Sequence, residues 1–422
     1  MSVRIFHPMV APFVQQAARA LHEAGQLDRL VTSIRHDPQS LGQSLLTAAG
    51  RLVGFDFGRQ LARRRVTELP PELVESHPWG ELLRLLVSRI DRDGRLLDFT
   101  WERAEHAFDR RVARGLHDGL SGIYAFEYSS LATINRARAL GLRVAYDVPA
   151  PEPRFVQEIL DHEMANFPEL VTPWHLWTAA REEERIARRR AEFQRAHLVI
   201  AASEFTRRSY VASGLDGRKI RVVPYGAPPP CSRDDALAAD SGVAAPLTLL
   251  WAGTFSIRKG AHYLIDAWRA GNFGRHARLL VFGNVEIPER VLLPLPDGVE
   301  LRGSIPRSEL MECYRSSDAL IFPTLCDGFG MVATEAWSRG LPVITTARAG
   351  AADLLQPRRN GLLIPAGNAS ALGECIDWCL THRAELRAMR EESLATAAAW
   401  QWSDYRRTLA EILRQEDFFS SP

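Results

Sequence analysis

Between residues 226 and 246 the chain runs GAPPPCSRDDALAADSGVAAP and loses all hydrophobic periodicity. On either side the same alternation of short apolar runs and helix-period segments begins. That double alternation restricts the chain to two α/β units joined by a linker, each with a parallel sheet covered by helices. The length agrees, because 422 residues exceed one ordinary core and suit two or three domains at roughly 150 residues each.

Before the linker, Val3–Phe6 reads as a strand. Val10, Phe13, Val14, Ala17, Ala18 and Leu21 then share one helical face, Gly25 caps it, and Leu30–Ile34 is a second strand. Residues 36–115 are Arg-rich with mixed spacing and read as helices and loops inserted into the sheet. Strands resume at 122–127, 142–147, 197–201 and 220–224. One long helix is expected over 154–196, its charge run REEERIARRR (181–190) forming a solvated face or, in the minority reading, a patch touching an anionic membrane. Beyond the linker, strands are expected at 247–252, 279–282, 300–302, 319–322, 342–345 and 362–364. Helices fill the gaps, and a last one covers 403–415.

Charge and composition exclude several classes. Fifty-two basic against 51 acidic residues give a net charge of +1, so bulk electrostatics offers nothing to nucleic acid. Five scattered cysteines without a C-x-x-C pair suit a reducing compartment. No apolar run approaches the roughly 20 residues of a membrane span, and the start does not resemble a signal peptide. A cytoplasmic protein, soluble or peripheral to the inner face of a membrane, is the expectation. The only lysines are Lys219 and Lys259.

Two stretches carry chemistry. In CDGFGMVATEAWSRGLPVIT (326–345), a strand leads through two glycines into a helix whose free N–H groups suit an anion, with Asp327 at the loop's start, Glu335 one turn into the helix and seven residues between them. In LLWAGTFSIRKGAHYLIDAW (249–268), a strand ends at Gly253 and a short loop carries Arg258 and Lys259, a pair suited to a diphosphate. Either alone is matched by a bland reading, an ordinary capped turn or a surface basic pair. Together they place cations and a helix start at one sheet's carboxyl edge.

With GSIPRSELMECYRSSDALIFPT (303–324) and NGLLIP (360–365), these stretches resemble, in order, the second domain of the retaining glycosyltransferases of the GT-B fold, in particular family 4 (group 1). In the first half the resemblance rests on ASEFTRRSY (202–210) and KIRVVPYG (219–226). It implies two Rossmann-like domains facing each other across a cleft: an acceptor domain to residue 225, a donor domain over 247–402, and a terminal helix over 403–422 packing back toward the first. It also implies a nucleoside diphosphate sugar as donor, a glycan or lipid-linked acceptor, and no metal or cofactor. By the resemblance Lys259, with Arg258, holds the diphosphate, Asp327 meets the transferred sugar and Glu335 binds the ribose. The loop amides of Gly330, Met331 and Val332 complete the phosphate cradle, Gly253, Gly328 and Phe329 belong to the same donor site, and Ser304 and Ile305 border the base.

Departures from the family pattern are Asp327 for its Glu, Thr254 for its Arg, His7-Pro8-Met9 for a Gly-Gly loop, and Glu127-Tyr128-Ser129 where a donor-facing His is usual. His7 and Glu127 are the acceptor-side candidates. The alternative from another class is a binding or scaffold protein on a weakened transferase fold; a phosphorylase lacks its covalent-cofactor lysine signature. Asp91-Arg92-Asp93 reads as an acidic turn, and Asp161-His162-Glu163 as a poor metal site because helical neighbours point apart. No dinucleotide or Walker motif is present. Trp174 and Trp177 are expected in a core.

Overall fold

A computed structural model describes residues 2–419 apart from 38–39, 41–42, 44–46, 49–56, 63, 92 and 239–244. Parts of the expected insertion and linker, and Arg92 of the acidic turn, lie outside the described residues.

The first sheet comprises β1 (Ser2–Phe6), β2 (Leu27–Thr32), β3 (Val74–Ser76), β4 (Leu120–Phe126), β5 (Arg143–Val148), β6 (Leu198–Ala201) and β7 (Ile220–Val222). The second comprises β8 (Leu247–Ala252), β9 (Ala277–Phe282), β10 (Val299–Gly303), β11 (Ala319–Phe322), β12 (Val343–Thr346) and β13 (Gly361–Ile364). Their orders are β3-β2-β1-β4-β5-β6-β7 and β10-β9-β8-β11-β12-β13. Every pairing is parallel. Strand β4 is buried along all seven residues, as a central strand covered by helices on both faces must be. These are the two Rossmann-like units of the GT-B fold. Order reverses at β1/β4 and at β8/β11, so the crevices that take ligands in such sheets open beyond those strand ends.

Four local readings differ from the sequence expectation. Strand β3 adds an edge to the first sheet from within the 36–115 stretch; three residues are too few to show alternation. The expected helix over 154–196 is two, Pro153–Asn166 and Pro173–Arg195. Pro168 and Pro173 lack the N–H that a continuous helix needs, and Thr172 with Pro173 instead starts a new one with a capping box. A further helix, Arg383–Ala399, was not anticipated.

The fourth difference is the charge run. Its arginines do not form a solvated face, because helix Arg95–Arg114 lays acids against them. Arg185 contacts Asp98 at 2.8 Å and Arg188 contacts Asp109 at 2.6 Å. Arg189 meets Glu127 at 2.7 Å and Arg190 meets Glu152 at 2.8 Å. Lys219, the other lysine, lies over the Phe193 ring and donates to the Phe193 and Ala196 carbonyls, closing the C-terminus of helix Pro173–Arg195.

After Ala399 the chain returns to the first domain. Ala227 bridges Gln401, and Trp400 Nε1 donates to Pro224 O at 2.9 Å. Helix Trp402–Gln415 buries Tyr405, Leu409 and Leu413, one face at i, i+4, i+8. It rests on helix Pro12–Glu23, where Arg406 reaches Glu23 at 2.7 Å and Gln16 at 2.6 Å. Among the described residues no helix is long and apolar enough to cross a membrane.

Beneath this helix Asp147 is fully buried, accepting from Tyr124 Oη at 2.6 Å and contacting Tyr225 Oη at 3.4 Å. Burial pushes its carboxyl to about 7, only partly offset by the two hydroxyls. The folded pKa lies above the unfolded value, so folding holds a proton that the unfolded chain releases. Stability from this site is full below the unfolded pKa and fades as pH rises through about 7. Urea unfolding at pH 5 and pH 8 is expected to show that decline, and Asp147→Asn to flatten it. An equally steep decline in the variant would assign the dependence elsewhere.

Candidate active site

The loops after β8 and β11 meet at the carboxyl edge of the second sheet. After β8, Gly253 at φ 103° turns the chain with nothing within 4 Å of where a Cβ would sit. A 3-10 turn, Ile257–Lys259, then presents the two cations. Gly260, at φ 76°, lies so close to the loop after β11 that a Cβ would fall 2.2 Å from Pro323 O. The loops are also bonded directly: Arg258 O accepts from Leu325 N–H at 3.0 Å and from the Thr324 Oγ1 hydroxyl at 3.3 Å.

This bracing brings Lys259 Nζ within 2.6 Å of Asp327 Oδ2, with Arg258 Nη1 3.7 Å from the same oxygen. Arg258 donates to Cys326 O at 2.7 Å. The ammonium sits 4.8 Å from the Phe322 ring centre. Burial raises the Asp327 pKa, but Lys259, Arg258 and the Phe329 N–H together outweigh it, and the carboxyl is held below its usual range. The site therefore holds an ionised carboxylate and two cations.

Glu335, on helix Met331–Trp337, lies on the neighbouring side of the edge. Burial pushes its carboxyl up, against Arg307 at 2.8 Å and Tyr314 Oη at 3.4 Å. Ser304 Oγ donates to Asn284 Oδ1 at 3.4 Å, and Ile305 is a partly buried neighbour of the core. Gly330 caps the helix at φ 84°, and a Cβ there would come 2.7 Å from the Phe322 ring. The first-turn N–H groups of Met331 and Val332 have no intrahelical acceptor.

Gly328 and Phe329 have a second use. A Cβ on Gly328 would lie 2.0 Å from Pro149 O, and its carbonyl accepts from Ser203 Oγ at 2.5 Å and Thr206 Oγ1 at 3.0 Å. Phe329 is buried against Tyr225, ring centres 5.3 Å apart. These two residues dock the domains. Ser203 and Thr206 lie in the ASEFT segment, yet nothing in their spacing shows that they bond Gly328, 125 and 122 positions away.

The acceptor-side candidates lie on the first domain. His7 follows β1, its Nδ1 2.7 Å from Met9 O, and packs edge-on to Phe126. Burial lowers its pKa to about 4, so the ring is neutral at physiological pH. Glu127 follows β4 and is pushed up to about 7 by burial, offset by Arg189. Trp174 is 39% exposed, so it is no core residue. Trp177 sits between Arg95 and Arg181, its Nε1 3.3 Å from Asp98. Asp91 accepts from Leu97 N–H and Asp93 from Arg95 N–H, the work of a helix start. Glu163 leaves its neighbours and crosses to His262 at 3.1 Å and Tyr263 at 2.8 Å in the second domain. Among the described residues no group of three His, Cys, Asp or Glu is placed to hold a metal.

Residues 246–382 match the family model described as glycosyl transferases group 1. The second domain is a group 1 glycosyltransferase domain. The chain is 28% identical over 109 residues to the D-inositol 3-phosphate glycosyltransferase of Corynebacterium urealyticum, covering 26% of each chain. Over 127 residues it is 30% identical to the capsular polysaccharide biosynthesis glycosyltransferase CapM of Staphylococcus aureus, 28% of this chain and 33% of that one. The matched stretch thus spans a quarter to a third of these relatives. Sucrose-phosphate synthase from Thermosynechococcus elongatus superposes with TM-score 0.66 at 18% identity over all of both chains. Anabaena HepE, solved in complex with UDP-glucose, superposes with TM-score 0.59 at 18% identity, over 98% of this chain and all of that one. At such identities the superpositions establish the two-domain fold.

Proposed function

We propose that this group 1 chain is a retaining, metal-independent glycosyltransferase that moves a sugar from a nucleoside diphosphate sugar to an acceptor hydroxyl, in bacterial glycan or glycolipid synthesis. The observation that carries the reading is the cluster at the second sheet's edge: Lys259 and Arg258 on Asp327, beside the helix start at Gly330. A diphosphate needs this charge, and the first-turn amides supply further donors. HepE's complex with UDP-glucose supports a nucleotide sugar of this kind.

On this reading the diphosphate draws Lys259 from Asp327, which frees the carboxylate to accept from a hydroxyl of the transferred sugar. The acceptor oxygen bonds to the anomeric carbon on the face the diphosphate leaves. The bond from that carbon to the diphosphate oxygen breaks, and the acceptor's proton passes to that oxygen. Lys259, Arg258 and the amides of Met331 and Val332 stabilise the negative charge that develops there. Glu335 receives the ribose hydroxyls, and Ser304 and Ile305 flank the base.

A second reading, a binding or scaffold protein, is favoured by Lys259 already being paired and by Thr254 replacing an arginine. Release of nucleoside diphosphate from UDP-, GDP-, ADP- and dTDP-sugars without added metal decides between them. Release from one donor is expected. Neither release nor calorimetric nucleotide binding would put the scaffold reading first.

A further inference from the structure

Between the two domains lies a cavity of about 490 Å³, of whose lining the donor assignment uses Arg258 alone. That volume is within the roughly 300–1,000 Å³ of small-molecule sites. One wall is helix Pro173–Arg195, which presents Trp174, Thr178 and Glu182 one turn apart. Gln157 and Leu160 come from helix Pro153–Asn166, and the second domain closes the far side with Thr254, Ile257 and Arg258. Arg258, which lines the cavity, stands 3.7 Å from Asp327, so one side chain separates the cavity from the proposed reacting centre.

Its lining combines a broad aromatic surface with short polar groups. Trp174 is held from behind: a Cβ on Gly94 would stand 2.9 Å from its ring. An exposed, fixed indole face suits the C–H face of a sugar ring, while Gln157, Thr178 and Glu182 can exchange hydrogen bonds with ring hydroxyls. The charges do not suit an anion. The charged lining among the described residues is Glu182, which Arg189 meets at 3.5 Å from behind, Glu286 and Arg258, and Arg258 is engaged by Cys326 O and Asp327 and is assigned to the donor's diphosphate. A phosphorylated or acidic ligand would meet two carboxylates and no uncommitted cation, a like-charge arrangement that works against binding.

We propose that this cavity is the acceptor subsite and that it takes an uncharged carbohydrate, one ring stacked on Trp174 and the reacting hydroxyl directed toward Arg258 and Asp327. The inference rests on the transferase reading above. It is tested on the full chain with the donor that the panel identifies, against maltose, lactose and methyl α-mannoside as neutral acceptors, and glucose 6-phosphate, mannose 6-phosphate and glucuronate as anionic ones.

At least one neutral acceptor is expected to speed nucleoside diphosphate release, and no anionic one. Trp174→Ala is expected to raise the KM for that acceptor about tenfold, the scale of a lost aromatic contact, with kcat changed far less. Trp174→Phe should recover most of the affinity, and Glu182→Lys should admit the sugar phosphates. Nucleotide affinity by calorimetry on each variant reports whether the donor site is intact. A wild-type chain that binds no nucleotide overturns the transferase reading and this inference with it. A chain that binds nucleotide overturns this inference alone if anionic acceptors accelerate release, if no neutral one does, or if Trp174→Ala leaves KM unchanged.

Discussion

Lys259→Ala is expected to lower nucleoside diphosphate release by about 10²–10³-fold, the scale of losing one preorganised donor to developing charge. This variant is expected to keep its fold. The structure adds a stability cost. Lys259 is the close partner of Asp327, whose side chain is only 13% exposed. Removing one member of a buried pair costs roughly 3–5 kcal/mol, and Arg258 at 3.7 Å should keep the loss below that range. Urea unfolding of Lys259→Ala should therefore show a clear loss of stability. The double variant Lys259→Met/Asp327→Asn should regain much of it while release stays low. Recovery of release in the double variant would mean that Lys259 acts only by neutralising Asp327, and the diphosphate role would fall. Near-normal release in Lys259→Ala alone would remove it outright.

The largest stability effect is expected at Arg185. Its guanidinium reaches Asp98 at 2.8 Å and Glu102 at 3.2 Å and lies 5.3 Å from the Trp101 ring centre. The Arg185 and Asp98 side chains are 7% and 6% exposed. Arg185→Leu leaves two carboxylates buried with less compensation, a loss of roughly 3–5 kcal/mol. Asp98→Asn added to the variant should return part of it, since the desolvated charge is the cause. A loss below about 1 kcal/mol, the range of surface pairs, would show that Arg181 takes over both acids. The same cluster should make the protein acid-labile. Burial pushes Glu102 up, but Tyr128, Arg181 and Arg185 outweigh it and hold the carboxyl at about 2. Its contribution is present above the unfolded pKa and is lost as pH falls toward about 2. Acid unfolding of Arg185→Leu should accordingly begin at higher pH than that of the wild type.

The readable parts of the chain share one property. Strand and helix positions, the edge loops at Gly253 and Gly330, and the terminal helix with its Tyr405, Leu409 and Leu413 face all depend on neighbours within about two turns. The unreadable parts depend on partners far along the chain. The arginines of 181–190 look solvated until helix Arg95–Arg114 is laid on them. Gly328 looks like part of a phosphate loop, and nothing beside it in the sequence shows that Pro149 packs against it. Trp174 looks like core until the cavity opens beside it.

What the amino-acid order alone settled is therefore the class of fold and where its loops must lie. Hydrophobic period and glycine conformations act over a few residues and leave their mark there. What the tertiary structure alone decided is how charges are paired. Lys259 and Asp327 stand 68 positions apart, as do Arg258 and Cys326, and Arg185 stands 87 from Asp98. Ion pairing follows distance in space and the exclusion of water. Both arise only when the sheets and helices have packed.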